Sequence, residues 1–343
     1  MGKFTIGLDL AKSVFQVHVV DAAGKVITNQ PLRRSQVENF FRKQPSALVG
    51  IEACCTAHHW ARVLIALGHE VKLLPPRAVK AYVKPGKKND AADAAAICEA
   101  VTRPYIHAVP VKTEEQQAVL VLHRTRRLLV EQRTALANAF RAHLAEFGLI
   151  AAKGICRIAA LVVLLEAEDS TVPAIARPAL RALARQIDDC TARIEAIGKD
   201  ILAWHKTNET SSNLATIPGV GPIAASSIAA AVPDASIFKS GRDFAAWLGL
   251  VPKQNSSGGK NRLGSITKAG DHYIRQMLVL GATIVIHHTG KKSAPGWLTS
   301  LLARKPKKVA AVALANKMAR IAWAVMSRGE VYSPSAASPI TAV

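Results

Sequence analysis

The apolar positions of the first hundred residues change period repeatedly, and each change marks an element. Phe4–Leu10 is a short apolar run, Val14–Val20 alternates with period two, and Asp21-Ala22-Ala23-Gly24-Lys25 supplies a turn before a third strand over Val26–Pro31. The spacing then predicts a helix from Ser35 through Phe41, a strand at Ala47–Ala53, a helix at Ala57–Leu67 and a strand at Val71–Leu74. A helix at Arg77–Val83 and another starting near Asp90 complete the series. A meander of three strands followed by alternating helix and strand is the pattern of an α/β sheet.

Two long helices follow. Thr113-Glu114-Glu115-Gln116 has the form of a capping box, and the helical pattern continues to about Phe147. After Pro178 the apolar positions Leu180, Leu183, Ile187, Cys190, Ile194, Ile197, Ile201 and Trp204 recur in alternating steps of 3 and 4. That is a coiled-coil seam, expected to pair subunits because a strict two-in-seven stripe is narrower than globular packing requires; the alternative is an amphipathic helix lying on its own domain. Polar Lys206–Asn213 reads as a linker, and the tail after Tyr332 as disordered. The expected plan is an α/β domain over 1–111, a long-helix segment over 112–207 for dimerisation or packing on the first domain, a mainly helical domain over 208–332, and a disordered tail over 333–343.

Composition narrows the partner. The formal charge is +21, from 45 Lys and Arg against 24 Asp and Glu. That excess points to a polyanion. Residues 239–308 alone hold 13 Lys or Arg against Asp243 and Asp271. Anionic lipid is a poor fit, since the apolar run Leu278–Ile286 is about half a bilayer span. Lys3 and Asp9 would interrupt any signal peptide, so the expectation is a cytoplasmic protein without a membrane. Five scattered cysteines without CxxC spacing read as reduced thiols.

Four carboxylates carry the candidate chemistry. Asp9 ends the first strand and Glu52 the fourth, each interrupting an apolar segment where an unpaired charge is costly. Adjacent parallel strands would bring those ends together, and Asp90 and Asp93 share one face at a helix start. Four such groups at one point repel unless a cation neutralises them, and hard oxygen ligands favour Mg²⁺ or Mn²⁺. Asp90 alone reads equally well as an N-cap, and Asp93 as a helix-dipole partner. Lys84, Lys87 and Lys88 stand just before Asp90, where they suit a phosphate backbone or a solvated turn. His58 and His59, adjacent on a helix, point about 100° apart and read as packing or surface residues.

Further along, Ile217-Pro218-Gly219-Val220-Gly221-Pro222 has the look of a helix-hairpin-helix turn, whose glycines would let amides approach a phosphate; a tight turn between packed helices is the alternative. Ser256 and Ser257 lie on a glycine-rich turn with Lys260, Arg262, Lys268 and Arg275 close behind. That is a nucleophile with a phosphate clamp, or a flexible turn.

With these segments in view, the chain resembles the transposases of the insertion-sequence family numbered 110, a RuvC-like DEDD group. Gly7-Leu8-Asp9-Leu10-Ala11-Lys12 resembles its opening strand, Ile51-Glu52-Ala53-Cys54 with His58-His59-Trp60 its second acidic motif, and Lys88-Asn89-Asp90-Ala91-Ala92-Asp93-Ala94 its third. Ile217–Gly221, Gly249-Leu250-Val251-Pro252, Ser257-Gly258-Gly259-Lys260 and Gly264-Ser265-Ile266-Thr267-Lys268 resemble its carboxy-terminal domain. Cys55 departs from the pattern, standing where the family has glycine.

The resemblance implies α/β plus α architecture: an RNase H-like mixed sheet, a coiled-coil insertion and a helical carboxy-terminal domain. It implies Asp9, Glu52, Asp90 and Asp93 as a Mg²⁺ tetrad and a serine nucleophile, Ser257 aligning better than Ser256. Donor and target DNA, a structured guide RNA and a homo-oligomer, dimer or tetramer, are the implied partners, with Lys12, Lys87, Lys88, Gly219, Gly221, Lys260, Arg262, Lys268 and Arg275 as nucleic-acid contacts. The implied place of action is the nucleoid. Competing readings are a junction-resolving nuclease, which needs the carboxylates but no serine, and a non-enzymatic basic nucleic-acid-binding protein.

Overall fold

Alternation along strand β1 (Phe4–Asp9) sends Ile6 and Leu8 into a core on one face of a sheet and Thr5, Gly7 and Asp9 to the other. The computed structural model describes residues 4–83, 86, 89–260, 262–288 and 296–333. The sheet adds β2 (Val14–Val20), β3 (Val26–Arg33), β4 (Ala47–Glu52) and β5 (Glu70–Leu74) in the order β3-β2-β1-β4-β5. The three strands of the meander pair antiparallel, while β1 with β4 and β4 with β5 pair parallel, an RNase H-like arrangement. Helices α1 (Val37–Arg42) and α2 (Ala57–Ala66) cover one face, with Phe15, Phe41, Val49, Ile51, Trp60 and Leu64 buried between. After β5 come a single helical turn, α3 (Pro76–Val79), and a 3₁₀ turn over Lys80–Tyr82, where the pattern had suggested one helix to Val83.

Helix α4 (Asp90–Val101) lies on the other face, and two glycines explain how closely. Gly7 and Gly50 are direct partners across the β1/β4 pair. A Cβ on Gly7 would stand 2.0 Å from the Ala94 carbonyl oxygen, and one on Gly50 would stand 2.8 Å from Val101 Cβ. The pair forms a flat platform against which the α4 backbone rests. The first unit therefore has three layers and ends at Glu114, with residues 232–237 counted in it.

The second unit runs from Glu115 to Ala231 and resumes at Phe238. The long helices α5 (Glu114–Ala145) and α7 (Arg177–Thr207), with α6 (Ile158–Glu166) between them, do not form a domain of their own; they belong to one unit with the carboxy-terminal helices. Contacts along α5 and α7 run in opposite directions. The Trp204 indole donates to Glu115 (2.6 Å), Arg133 donates to Thr191 (3.5 Å), and Phe140 and Leu144 share a core with Leu180 and Ile187. The seam expected to pair subunits is thus filled inside the chain: Leu180, Ile187, Cys190, Ile194 and Ile201 are all buried. The supposed linker 206–213 is also ordered, because the Asn208 side chain accepts from Ser211 N and caps α8 (Glu209–Leu214).

Helix α9 (Pro222–Ala231) is buried from Ala224 to its end. The chain continues through α10 (Gly241–Trp247), a ribbon of β6 (Pro252–Gln254) and β7 (Leu263–Ile266), α11 (His272–His288), α12 (Gly296–Arg304) and α13 (Lys307–Arg328), with α7, α8 and α11 packed on α9. Helix α13 is long and apolar enough to cross a membrane, but it buries Ala311, Ala315, Met318 and Ala322 against α10 and α11 as a core helix.

Candidate active site

Asp9 and Glu52 continue the two strand rows that carry Gly7 and Gly50, so both reach the face covered by α4. Leu8 lies opposite Ile51, which places the two acids at adjoining strand ends. Helix α4 runs against β1, with Ala94 over Gly7 and the Cys98 thiol donating to the Thr5 carbonyl (3.6 Å), so its amino-terminal turn lies toward Asp9. Asn89 fixes that turn by accepting from Ala92 N (2.8 Å). Asn89 is therefore the cap, which leaves the Asp90 and Asp93 carboxylates available for other work.

The electrostatics agree with this placement. Burial, then repulsion from Asp93, Asp90 and Glu52, pushes the Asp9 carboxyl up to about 6, against one opposing hydrogen bond from Leu10 N. All three other acids therefore act on Asp9. Among the described residues no three acidic, imidazole or thiol groups are drawn in to metal-ligating distance. The expected histidine roles hold: His58 Nδ1 accepts from Lys112 N (3.2 Å), and His59 packs edge-on to Trp60.

The serine loop sits at the tip of the β6–β7 ribbon. Ser257 pairs with Lys260 through Lys260 N and the Ser257 carbonyl (3.1 Å), around Gly258 and Gly259 in left-handed conformation. Ser256 Oγ is engaged, accepting from Arg262 N (3.1 Å). Ser257, Lys260 and Arg262 are exposed.

Sequence comparison carries the assignment further. Residues 6–148 match the DEDD transposase model of the IS110 group, and residues 211–295 match the model described as Transposase IS116/IS110/IS902 family. A putative transposase y4pF/y4sB of Sinorhizobium fredii is 48% identical over 95% of this chain and 85% of its own length. A probable family 20 transposase of Pseudomonas aeruginosa is 49% identical over 96% of this chain and 98% of its own. The transposase for insertion sequence element IS1328 of Yersinia enterocolitica is 39% identical over 96% and 98%. The chain belongs to the IS110 transposase family. It is an insertion-sequence transposase, an enzyme that cuts and rejoins DNA.

Two expected nucleic-acid contacts of the transposase have other duties. Gly219 has φ +85°, and a Cβ there would stand 2.8 Å from Val285 and 2.9 Å from the Gly281 carbonyl oxygen. Its glycine serves a close crossing with α11, the alternative weighed for that turn. Arg275 is 7% exposed, and its guanidinium donates to the Leu248 (2.9 Å) and Ala269 (2.7 Å) carbonyls, so it holds the turn before α11 and is no clamp. Gly221 is exposed with open space around it; Lys12 is exposed, and Lys268 is exposed in left-handed conformation. Lys87 and Lys88 lie outside the described residues. Gly50 was missed, although a signal existed: Gly7-Leu8-Asp9 and Gly50-Ile51-Glu52 repeat a glycine two places before an acid, on strands read as neighbours.

Proposed function

We propose that this transposase exchanges DNA strands through a serine–DNA link, with Ser257 as nucleophile, Asp9, Glu52, Asp90 and Asp93 holding Mg²⁺ or Mn²⁺, and a structured non-coding RNA choosing the sites. The observation that carries the reading is geometric: Asp9 and Glu52 end adjoining strands on the face where α4 begins, and burial, then repulsion from the other three acids, raises the Asp9 carboxyl. Four hard oxygen donors at one strand edge fit a divalent ion, and an ion there would polarise a phosphate and ease attack on it.

The chain's own residues do the rest. Ser257 Oγ gives up its proton and bonds to phosphorus, one phosphorus–oxygen bond to a sugar breaks, and that sugar oxygen takes a proton. Rejoining reverses these events, as a sugar hydroxyl displaces Ser257 and a phosphodiester returns. The number of phosphate ester bonds stays constant, so no nucleotide triphosphate is needed. Lys260 and Arg262, exposed on the same ribbon tip as Ser257, would offset charge at phosphorus. Engagement of Ser256 Oγ by Arg262 N favours Ser257 over its neighbour. The +21 charge supports large polyanionic partners, and RNA guidance and homo-oligomeric assembly enter only as what the family resemblance implies.

The test incubates the transposase, element-end DNA and RNA transcribed from the element's flank with Mg²⁺, then seeks a DNA-linked peptide by mass spectrometry. The adduct is expected on Ser257 and absent from Ser257→Ala and from reactions lacking RNA. Cutting that persists in Ser257→Ala would replace the reading with a metal-dependent nuclease. Full cutting activity of Asp9→Asn would remove the tetrad from the reaction.

A further inference from the structure

The sheet end that carries Asp9 and Glu52 has a second feature on the α2 side. There an open hollow of about 680 Å³ is lined in part by Lys12, Val14, Arg33, Arg34, His59 and Trp60. Its walls are set by the strands. Val14 and Arg33 are direct cross-strand partners, and Arg34 N donates to the Ser13 carbonyl (2.9 Å), tying the turn that bears Lys12 to the end of β3.

Three properties separate this hollow from the general positive surface of the protein. The Arg34 guanidinium is held over two rings of the core, 5.6 Å from the Phe15 centroid and 5.4 Å from that of Trp60, so its position is fixed. None of Lys12, Arg33 and Arg34 is paired with a carboxylate among the described residues, and no acid lines the hollow. Trp60 is 6% exposed, yet its indole N–H has no acceptor among the described residues. A concavity walled by cations without carboxylate partners calls for an anionic occupant.

We infer that this hollow seats the sugar–phosphate backbone of the DNA strand whose scissile phosphate lies at the tetrad. The exposed Val14 offers an apolar floor for a sugar, and the three cations surround a phosphate. A strand laid across the sheet end would meet the hollow on one side and the carboxylates on the other. DNA is preferred to RNA because the hollow shares its sheet end with the acids. The inference rests on the tetrad being the cutting site, but its test needs no cutting.

The test measures anisotropy of a fluorescein-labelled single-stranded DNA, and of an RNA of the same sequence, across a salt series. Lys12→Ala/Arg33→Ala changes two exposed side chains, and an unaltered melting temperature would establish that it folds. Loss of two phosphate contacts is expected to lower the slope of log K against log salt by about 1.4 for single strands. In parallel, DNA carrying 4-thiothymidine beside the cleavage position is photo-crosslinked to the Asp9→Asn protein, and adducts are expected on peptides spanning 12–14 or 33–35. An unchanged slope, or crosslinks only elsewhere, would overturn the seat. Loss confined to RNA would overturn its assignment to DNA. A reduced slope in Lys12→Ala/Arg33→Ala with normal cutting by Asp9→Asn would keep the seat and reject the tetrad.

Discussion

Asp9 sits where structure and chemistry want different things. A half-buried carboxylate facing three others costs the fold stability whenever it is ionised. The sign follows from its two pKa values: about 3.8 when unfolded and about 6 when folded. Below pH 3.8 both states hold the proton and there is no penalty; above pH 6 the folded state bears all of it. Asp9→Asn should therefore raise the melting temperature by a few degrees at pH 8, about 1 kcal/mol once its partial solvent exposure is allowed for. The gain should vanish below about pH 4, and millimolar Mg²⁺ should shrink it by stabilising the wild type. Calorimetry across pH with and without Mg²⁺ reads this directly; a variant less stable than wild type at pH 8 would mean the acids do not repel. Asp9 and Glu52 stood out in the sequence as charges interrupting apolar strands, whereas Asp90 and Asp93 stood out only by sharing a face at a helix start, where a cap or a dipole partner reads as well. Gly219 and Arg275 were misread because a glycine or arginine near a basic loop looks the same whether it meets phosphate or packs on a helix.

Among the elements, α4 and α7 show what periodicity does and does not reveal. The start of α4 at Asp90 was readable, but its closeness to the sheet depends on the Gly7–Gly50 pairing, a long-range fact. The α7 stripe was also read correctly as a narrow seam, yet a seam does not name its partner. Helices α5, α6, α8 and α9 of the same chain fill it as well as a second subunit would. Helix α5 also makes a polar attachment that no pattern announced. Buried His123 meets Ser226 on α9 (3.1 Å) and Tyr273 on α11 (3.3 Å). Ser226 donates to the Pro222 carbonyl (2.7 Å), so a neutral His123 donates to Ser226 and accepts from Tyr273. Burial, with Arg126 nearby, depresses the imidazole to about 4 despite Asp271. The stability this neutral ring contributes is complete above pH 6.5 and is lost as pH falls toward 4, where the unfolded chain takes the proton first. Urea titrations from pH 8 to 4 should show the wild type losing up to about 3 kcal/mol more than His123→Gln. Parallel pH curves for the two would show that the imidazole is not held neutral.

At the scale of the whole molecule, two units with separate cores ought to unfold separately. The first unit's core lies between α1, α2 and the sheet, with α4 on the far face; the second has its own cores in the α5–α7 hairpin and around buried α9. Unfolding of such a chain is not expected to be two-state. Gly7→Ala tests this without touching a charge. Its new methyl meets the α4 backbone, whose carbonyl cannot step aside as a flexible side chain could. The helix must lift, at a cost of about 3 kcal/mol. In calorimetry one transition should fall by several degrees while the other stays in place. Hydrogen exchange should show amides of β1, β4 and α4 losing up to a hundredfold in protection, with those of α9, α11 and α13 unchanged. Because the same shift moves the first turn of α4 away from Asp9, strand cutting should fall even at temperatures where Gly7→Ala remains folded. Uniform loss of protection along the chain would instead mean that one cooperative core spans both units, and the two-unit description would have to be abandoned.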